Sequence, residues 1–185
     1  EYGRGNFHAA TELFEKSVRI DEKIGALEHE ALVRENLGDA LEMLGLWNEA
    51  MVQYRRCVEI EGFDETRASR LSVYVPLSRL TKKRGDIARA LEYGQKALAA
   101  GERGRDEDLI AEAAYVLASI EDERGNLEEA ERYLKRAMSI FESNRTLHGM
   151  ARAHTAAAVL VMERGDLDGA MAHAEAGEKI ARQLG

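Results

Sequence analysis

The chain has few of the residues that break or cross-link a fold. Its 185 residues include one proline and one cysteine, Cys57, so no disulfide can form within the chain. A protein without disulfides fits a reducing compartment, and we expect it to be cytoplasmic. The sequence also lacks an apolar run long enough to cross a membrane, so we expect no membrane partner.

Aromatic residues are scarce as well, at 6% of the chain, whereas hydrophobic residues make up 45%. This composition is typical of alanine-rich helices that pack together, and it argues against a sheet. The formal net charge of −8 works against direct binding to nucleic acid, because phosphates attract clusters of lysine and arginine. A protein or peptide that is basic or neutral suits this surface better.

Patterns that would indicate a metal, a cofactor or an active site are missing too. The five histidines are scattered, without the helical spacing or the cysteine neighbours of a metal site. No glycine-rich loop joins a strand to a helix, and serine, cysteine and histidine do not form the pattern of a nucleophile with its base. We therefore predict no metal, no cofactor and no enzymatic activity.

What the sequence does contain is a repeat of 40 residues, marked by a column of glycines and a column of alanines. The two columns are Gly5, Gly45, Gly85, Gly125 and Gly165, and Ala10, Ala50, Ala90, Ala130 and Ala170. A fixed period of this length is typical of arrays in which each unit is stabilised by its neighbours. Each glycine predicts the left-handed end of one helix, and the alanines predict close helix crossings.

We call the helix after each glycine an outer helix and the helix before it an inner helix. The inner helices are predicted at about residues 26–44, 66–84, 106–124 and 146–164, which gives nine helices in all. Most of the glycines precede a predicted N-cap: Asn6, Asp86, Asn126 and Asp166. Trp47 stands at an apolar position near the start of an outer helix, so we predict that its side chain packs that helix against the preceding one. Pro76 predicts a kink inside its inner helix.

Residues 31–57 resemble the tetratricopeptide repeat. The matching residues are Leu37, Gly38, Leu41, Gly45, Ala50, Tyr54 and Cys57. The resemblance implies an all-α, right-handed superhelical solenoid of antiparallel helix hairpins, with about 4.5 repeats. The whole chain, 1–185, would form one array, with a partial repeat at 1–25 and full repeats at 26–65, 66–105, 106–145 and 146–185.

The period of 40 residues resembles the lengthened repeats of kinesin light chains, of Pins-type adaptors and of bacterial regulators of the maltose-activator type. We expect the chain to be a fragment of a longer protein. In such arrays the inner helices line a concave groove, and the resemblance places the groove-facing residues at fixed distances before each turn glycine. They are Leu32, Glu35, Asn36, Asp39 and Met43; Val75, Arg79, Lys82 and Lys83; Glu112, Tyr115, Ser119 and Asp122; and Arg152, Thr155 and Met162.

Charge alternates in sign along these groove positions. One interpretation is a partner of complementary charge, and the other is that Lys82 and Lys83 pair with acidic residues on neighbouring helices, where exposed pairs contribute about 0 to 1 kcal/mol each. An apolar strip runs beside the charges and includes Val75, Tyr115, Val116, Val159 and Met162. The strip suits a helix or an extended peptide.

The resemblance implies a noncatalytic protein–protein interaction module that binds a peptide or a helix in the groove and belongs to a larger regulatory or adaptor protein. Two alternatives stay open at this point. The chain could be a structural spacer that associates end to end as a homo-oligomer, or it could be the effector-sensing segment of a signalling ATPase or a transcription regulator.

Overall fold

The structure is a computed structural model that describes residues 2–60 and 72–184. Nine helices and no strand occur within these residues. They are α1 (Tyr2–Ile24), α2 (Leu27–Met43), α3 (Trp47–Glu59), α4 (Tyr74–Lys83), α5 (Ile87–Gly104), α6 (Glu107–Glu123), α7 (Leu127–Ser143), α8 (Leu147–Glu163) and α9 (Leu167–Leu184). The predicted all-α repeat solenoid is confirmed.

The helices stack in sequence order, and each one packs against the helices before and after it. The inner helices α4, α6 and α8 also contact one another, α4 with α6 and α6 with α8, and they form one layer of the array. The outer helices form the other layer. Ala50, Ala90 and Ala130 are at most 1% exposed. Side chains this small allow the two layers to approach closely, as the alanine column predicts.

The turn between an inner and an outer helix has the same backbone form in each described unit. Gly45, Gly85, Gly125 and Gly165 have φ between 75° and 82°, the left-handed region in which a side chain is strained. After Gly45, the Leu46 N–H donates to the carbonyl of Leu41 at 2.9 Å, a bond typical of a helix that ends on a left-handed residue. The predicted helix stops are confirmed at these positions.

The predicted N-caps are confirmed at two of the four positions. Asp86 accepts a bond from the Arg89 N–H at 3.1 Å, and Asp166 accepts one from the Gly169 N–H at 2.9 Å. Asn126 makes no side-chain cap, because its amide donates instead to Glu121 at 2.6 Å. A cap that the pattern did not predict stands between units, where Asp106 accepts from the N–H of Leu109.

The first predicted turn, at Gly5 and Asn6, is wrong. Both residues lie inside α1, which continues from Tyr2 to Ile24. A glycine in a helix costs only about 1 kcal/mol relative to alanine, so a long helix can include it. Turns that the glycine column did not mark occur at Gly25, with φ of 70°, and at Arg105 and Arg145, each with φ of 54°.

The kink predicted at Pro76 is also wrong. The helix α4 begins at Tyr74, and residues 72 and 73 form a turn, so Pro76 lies in the first helical turn. Amides there have no acceptor within the helix, and the missing N–H of proline costs little. The carbonyl of Ser72 accepts instead from Val75 at 2.9 Å. Residues 66–71 of the predicted inner helix lie outside the described residues.

The core lies between the two layers of helices. Tyr54, Leu77, Leu117, Ile120 and Phe141 are among its largest fully buried side chains. Cys57 is buried as well, and its thiol donates to the carbonyl of Ala31 at 3.3 Å, which agrees with a small packing residue.

Trp47 does not join the core. The prediction that it packs as an apolar anchor between helices is wrong, because 51% of its surface is exposed and the Lys83 ammonium covers its ring at 4.0 Å from the centroid. The side chain stands at the edge of the array, between α3 and the end of α4, where a cation from the next unit can reach its face.

Candidate peptide-binding groove

The sixteen groove positions predicted from the sequence all lie on the inner helices and all keep some solvent exposure. Half of them are exposed: Leu32, Asn36, Asp39, Met43, Lys83, Arg152, Thr155 and Met162. The other half are partly buried: Glu35, Val75, Arg79, Lys82, Glu112, Tyr115, Ser119 and Asp122. Their role in binding stays a prediction, but the array leaves each of them within reach of a partner.

A cleft of about 410 Å³ opens between α2, α4 and the start of α6, and we call it the acidic cleft. It is lined by Glu35, Asp39, Ser72, Val75, Pro76, Asp106, Asp108, Leu109 and Glu112. Five of these residues are carboxylates, and no lysine or arginine is among the described lining residues. The cleft therefore combines negative charge with an apolar wall formed by Val75, Pro76 and Leu109.

A hydrogen-bond network holds the carboxylates at the α2 side of the cleft. The buried Tyr54 places its hydroxyl oxygen 2.7 Å from Asp39 Oδ1 and 3.1 Å from Glu42 Oε2, so its single proton serves one carboxylate at a time. Arg79 donates to the same Glu42 oxygen at 2.8 Å. The Ser72 hydroxyl donates to Glu35. These bonds fix the positions of the acidic groups before any ligand arrives.

The environment of the cleft raises the pKa of two of its carboxyl groups. Desolvation by burial raises the pKa of Glu35. The hydrogen bond from Ser72 lowers this pKa, whereas the negative charge of Asp39 raises it further. Desolvation also raises the pKa of Asp39; Glu42 reinforces the shift, while Tyr54 and Arg79 oppose it. A cation placed in the cleft would favour the ionised forms of Glu35 and Asp39.

Ion pairs connect successive inner helices along the groove. Arg79 of α4 binds Glu42 of α2 at 2.8 Å, and Lys82 of α4 binds Glu123 of α6 at 3.2 Å. The series continues between α6 and α8, where Glu112 binds Arg152 at 2.6 Å. The alternating charges thus pair within the molecule. For Lys82 this agrees with the interpretation that it pairs with an acidic residue on a neighbouring helix. Lys83 differs, because its ammonium lies over Trp47.

Ser119 and Asp122 lie in a smaller cavity of about 200 Å³ between α6, α7 and α8. The Ser119 hydroxyl donates to the carbonyl of Val116 at 2.8 Å, within its own helix. Val116 itself is buried, so it interrupts the apolar strip that the sequence predicts. The remaining part of the strip is accessible mainly at α8.

At that end an open apolar trough of about 850 Å³ runs between α8 and α9, and we call it the α8–α9 trough. Its lining includes Arg152, Thr155, Val159 and Met162 from α8 and Leu167, Met171 and Ala174 from α9. Leu167 and Met171 are 65% and 63% exposed. Sequence reasoning missed the α9 residues because it counted only positions on inner helices; the clue was a run of apolar residues after Gly165.

The described residues contain no group of three or more histidine, cysteine or acidic side chains that could hold a metal. His154 and His173 bring their Nδ1 atoms to 3.1 Å, but they form only a pair. Burial and the neighbouring His173 lower the pKa of His154. Within the part of the chain that the structure describes, no helix has the length and apolar character needed to cross a membrane.

The stacked hairpins and the turn glycines agree with a comparison against protein families. Residues 69–143 match the model of the tetratricopeptide repeat family. The match covers these 75 of the 185 residues and identifies them as resembling tetratricopeptide repeats. The family resemblance that the sequence suggested is therefore confirmed, and this part of the array contains α4 to α7.

Solved structures show the same tetratricopeptide fold over nearly the whole chain. MamA superposes with a TM-score of 0.67 at 20% identity, covering 97% of this chain and 91% of that protein. A putative kinesin light chain of Podospora anserina with nearly identical TPR-like repeats gives 0.70 at 20% identity, covering 97% and 89%. The apo form of RapI gives 0.77 at 16% identity, covering 97% of this chain and 50% of RapI.

These identities are low, so the structural similarities support the repeat fold and carry no function to this chain. No curated protein sequence matches the chain. What the groove binds must therefore be argued from its own side chains.

Proposed function

We propose that the chain is a noncatalytic protein-interaction module and that its groove receives a segment of another protein, within a larger regulatory or adaptor protein. The tetratricopeptide fold is commonly an interaction module. The accessible face of the inner helices supports the proposal, since all sixteen candidate residues are at least partly exposed.

The acidic cleft is the observation that carries the proposal and suggests the chemistry of the partner. Tyr54 holds Asp39 and Ser72 holds Glu35, and desolvation by burial raises the pKa of both carboxyl groups. The cation of a lysine or arginine side chain would favour their ionised forms. An apolar neighbour in the partner would cover Val75 and Leu109. We infer a partner segment with a basic residue beside an apolar one.

The expected affinity is modest and depends on salt. An exposed ion pair contributes about 0.2 to 1 kcal/mol, so one basic side chain gives little binding by itself. Contacts along the remaining groove would have to add to it. Screening by salt should weaken the complex, because the Debye length falls to about 3 Å at 1 M ionic strength.

A selection of random decapeptides displayed on phage against the 185-residue chain tests the proposal. We expect enrichment of peptides with lysine or arginine next to an apolar residue. The double substitution Glu35→Gln with Asp39→Asn keeps the shape and the acceptors of the cleft but removes two negative charges, and it should abolish this enrichment.

The matched control is Glu128→Gln with Asp168→Asn, which changes the net charge equally on exposed positions of the outer helices. This variant should select the same basic peptides as the unmodified chain. Equal enrichment by the cleft variant, or selection of acidic peptides, would contradict a basic partner in the groove.

A further inference from the structure

The cavity of about 200 Å³ between α6, α7 and α8 contains the groove positions Ser119 and Asp122, and we call it the Asp122 pocket. Each of its three helices has a described helix before and after it, so the pocket lies inside the array. Ser119 and Asp122 are the polar residues of the described lining, and both are partly exposed. The other described lining residues are apolar: Ala118, Ala130, Leu134, Ala156, Val159 and Leu160.

One wall of the pocket carries a smaller side chain than the same wall in the preceding unit. Val116 stands 40 positions before Ala156 and is only 3% exposed. It packs with Ala90 and Ile120 in one buried cluster, and the counterparts of those two residues also line the pocket. Alanine has two methyl groups fewer than valine, so a ligand has room here between α6 and α8.

The two polar residues offer hydrogen-bond acceptors and no free donor. The Ser119 hydroxyl donates its single proton to the carbonyl of Val116 at 2.8 Å, so its oxygen can only accept further bonds. The Asp122 carboxylate, three positions later on the same face of α6, also only accepts. Its Oδ1 atom is shielded from solvent and accepts no hydrogen bond from a described residue, which is unfavourable for a buried acceptor. The pocket therefore suits a ligand that donates.

A lysine side chain matches this set of groups. Its ammonium has three donors and no acceptor, and its charge is opposite to that of the Asp122 carboxylate. Its four-carbon stem can lie against the apolar walls that Ala156, Val159 and Leu160 provide. An arginine fits less well, because a guanidinium brings five N–H donors in a rigid fork to only two acceptor groups.

We propose that the Asp122 pocket binds the side chain of a lysine carried by a partner protein, with the ammonium bound to Asp122 and Ser119. The inference rests on the proposed function, because the lysine belongs to a segment held in the groove. It adds a second recognition site to that groove, since the pocket and the acidic cleft share no lining residue. One side chain binds weakly, so the pocket adds affinity to a segment that the cleft already holds.

The probe is Nα-acetyl-lysine-N-methylamide, which presents a lysine side chain without charged chain ends. Proton–nitrogen NMR correlation spectra of the labelled 185-residue chain report its binding residue by residue. We expect saturable shifts of the amide signals of Ser119, Asp122, Ala156 and Val159. The Nε-acetylated compound keeps the stem and loses the charge, so it should bind at least about tenfold more weakly. The corresponding arginine compound should also bind more weakly than the lysine compound.

Two matched pairs of variants locate the site, one by charge and one by shape. Asp122→Asn removes the charge from the pocket, and Asp168→Asn makes the same substitution at an exposed position of α9. Ala156→Val restores the side chain of the preceding unit, and Ala172→Val is its control at another exposed position of α9. We expect Asp122→Asn and Ala156→Val to lower the affinity at least about tenfold and both controls to leave it unchanged. Thermal unfolding should show that all four variants fold.

Three results would overturn the proposal: unmoved amide signals at the pocket, equal binding of the lysine compound and its acetylated form, or equal binding by Asp122→Asn and the unmodified chain. The cleft variant Glu35→Gln with Asp39→Asn should bind the lysine compound at the pocket normally. Binding at the pocket without enrichment of basic peptides on phage would contradict the acidic cleft alone. Enrichment through the cleft without binding at the pocket would contradict this inference alone.

Discussion

The acidic cleft and the α8–α9 trough are built on the same repeat yet differ in chemistry and in order. The cleft is lined mainly by carboxylates, of which Tyr54 holds Asp39 and Ser72 holds Glu35. The trough has twice the volume, about 850 Å³ against 410 Å³, and its walls are chiefly aliphatic. The difference teaches that the repeat sets the shape of a surface, whereas a few side chains on the inner face decide what class of ligand suits it.

The two regions also differ in how tightly their helices are packed. On the cleft side, Gly38 leaves room for the ring of the buried Tyr54, and an added Cβ would lie only 2.4 Å from it. At the trough, an added Cβ on Gly177 would meet nothing closer than 3.4 Å, from His154. We therefore expect substitutions beneath the cleft to cost stability, and those along the trough to be tolerated.

The largest expected effect compares a core residue of α6 with an exposed residue of the trough. Leu117 in α6 is fully buried against α5, and Leu117→Ala should lower the free energy of unfolding by about 2 to 5 kcal/mol. Met171→Ala removes a side chain that is mostly exposed and should change it by less than about 0.5 kcal/mol. Urea denaturation of both variants checks this, and similar losses would remove the contrast.

A second comparison uses the two glycines. Gly38→Ala should destabilise the fold by about 1 to 2 kcal/mol, because the ring of Tyr54 cannot move away without disturbing its bonds to α2. Gly177→Ala should be neutral or stabilise it by up to about 1 kcal/mol, the usual difference between glycine and alanine in a helix. Thermal unfolding of the two variants measures the difference. A stabilised Gly38→Ala protein would show that the cleft side is not crowded.

A third prediction concerns pH and separates the cleft from the rest of the surface. The pKa values of Glu35 and Asp39 lie above the ordinary 4.5 and 3.8. As the pH falls, these two carboxylates therefore take up protons earlier than exposed carboxylates do. A basic peptide needs the ionised forms. Its affinity should therefore fall with the pH, by about two- to fivefold for each carboxylate.

The stability of the free protein should respond to these two groups in the opposite direction. Because their pKa is higher in the folded state than in the unfolded state, protonation favours the folded state, and their contribution to stability increases as the pH falls. Loss of binding would therefore not reflect unfolding at the cleft. Titration calorimetry at several pH values tests the effect, and the Glu35→Gln, Asp39→Asn variant should show no such dependence.

The smallest expected effect lies beside the trough, at His154 and His173. Burial and His173 lower the pKa of His154, while Glu142 opposes the shift. The unfolded chain then binds a proton more readily than the folded one, so this contribution to stability is present above pH 6.5 and is lost as the pH falls through the lowered pKa.

His173→Gln should weaken this dependence, by less than about 1 kcal/mol because both rings are partly solvated. Melting temperatures between pH 7.5 and 5.5 compare the variant with the unmodified chain. An unchanged pH dependence would show that the pair does not contribute.

Much of the fold could be predicted because it depends on features that recur with the repeat. A left-handed stop at Gly45 needs only a local backbone preference, and the buried Ala90 and Ala130 mark crossings that every unit must make. The exceptions have different causes. Pro76 costs little because its helix begins only two residues earlier, at Tyr74, whereas Trp47 is covered by a lysine 36 positions later in the sequence.

The candidate site was predictable only in part. The positions on the inner helices are accessible as expected, and the pairing of Lys82 within the molecule was one of the two stated interpretations. The contributions of Asp106 and Asp108 to the cleft were missed, because Asp106 is the N-cap of α6 and Asp108 lies in its first turn, outside the predicted groove positions. The bonds from Tyr54 to the α2 carboxylates were missed as well, since they join residues of the two layers.

The ion pairs between inner helices respond to salt differently from the alanine contacts between the two layers. Arg79 with Glu42 and Glu112 with Arg152 join inner helices through partly exposed charges that dissolved ions can screen. Ala50, Ala90 and Ala130 are buried between the layers, and salt does not weaken such apolar contacts. Raising the ionic strength should therefore loosen one inner helix against the next while each hairpin stays packed.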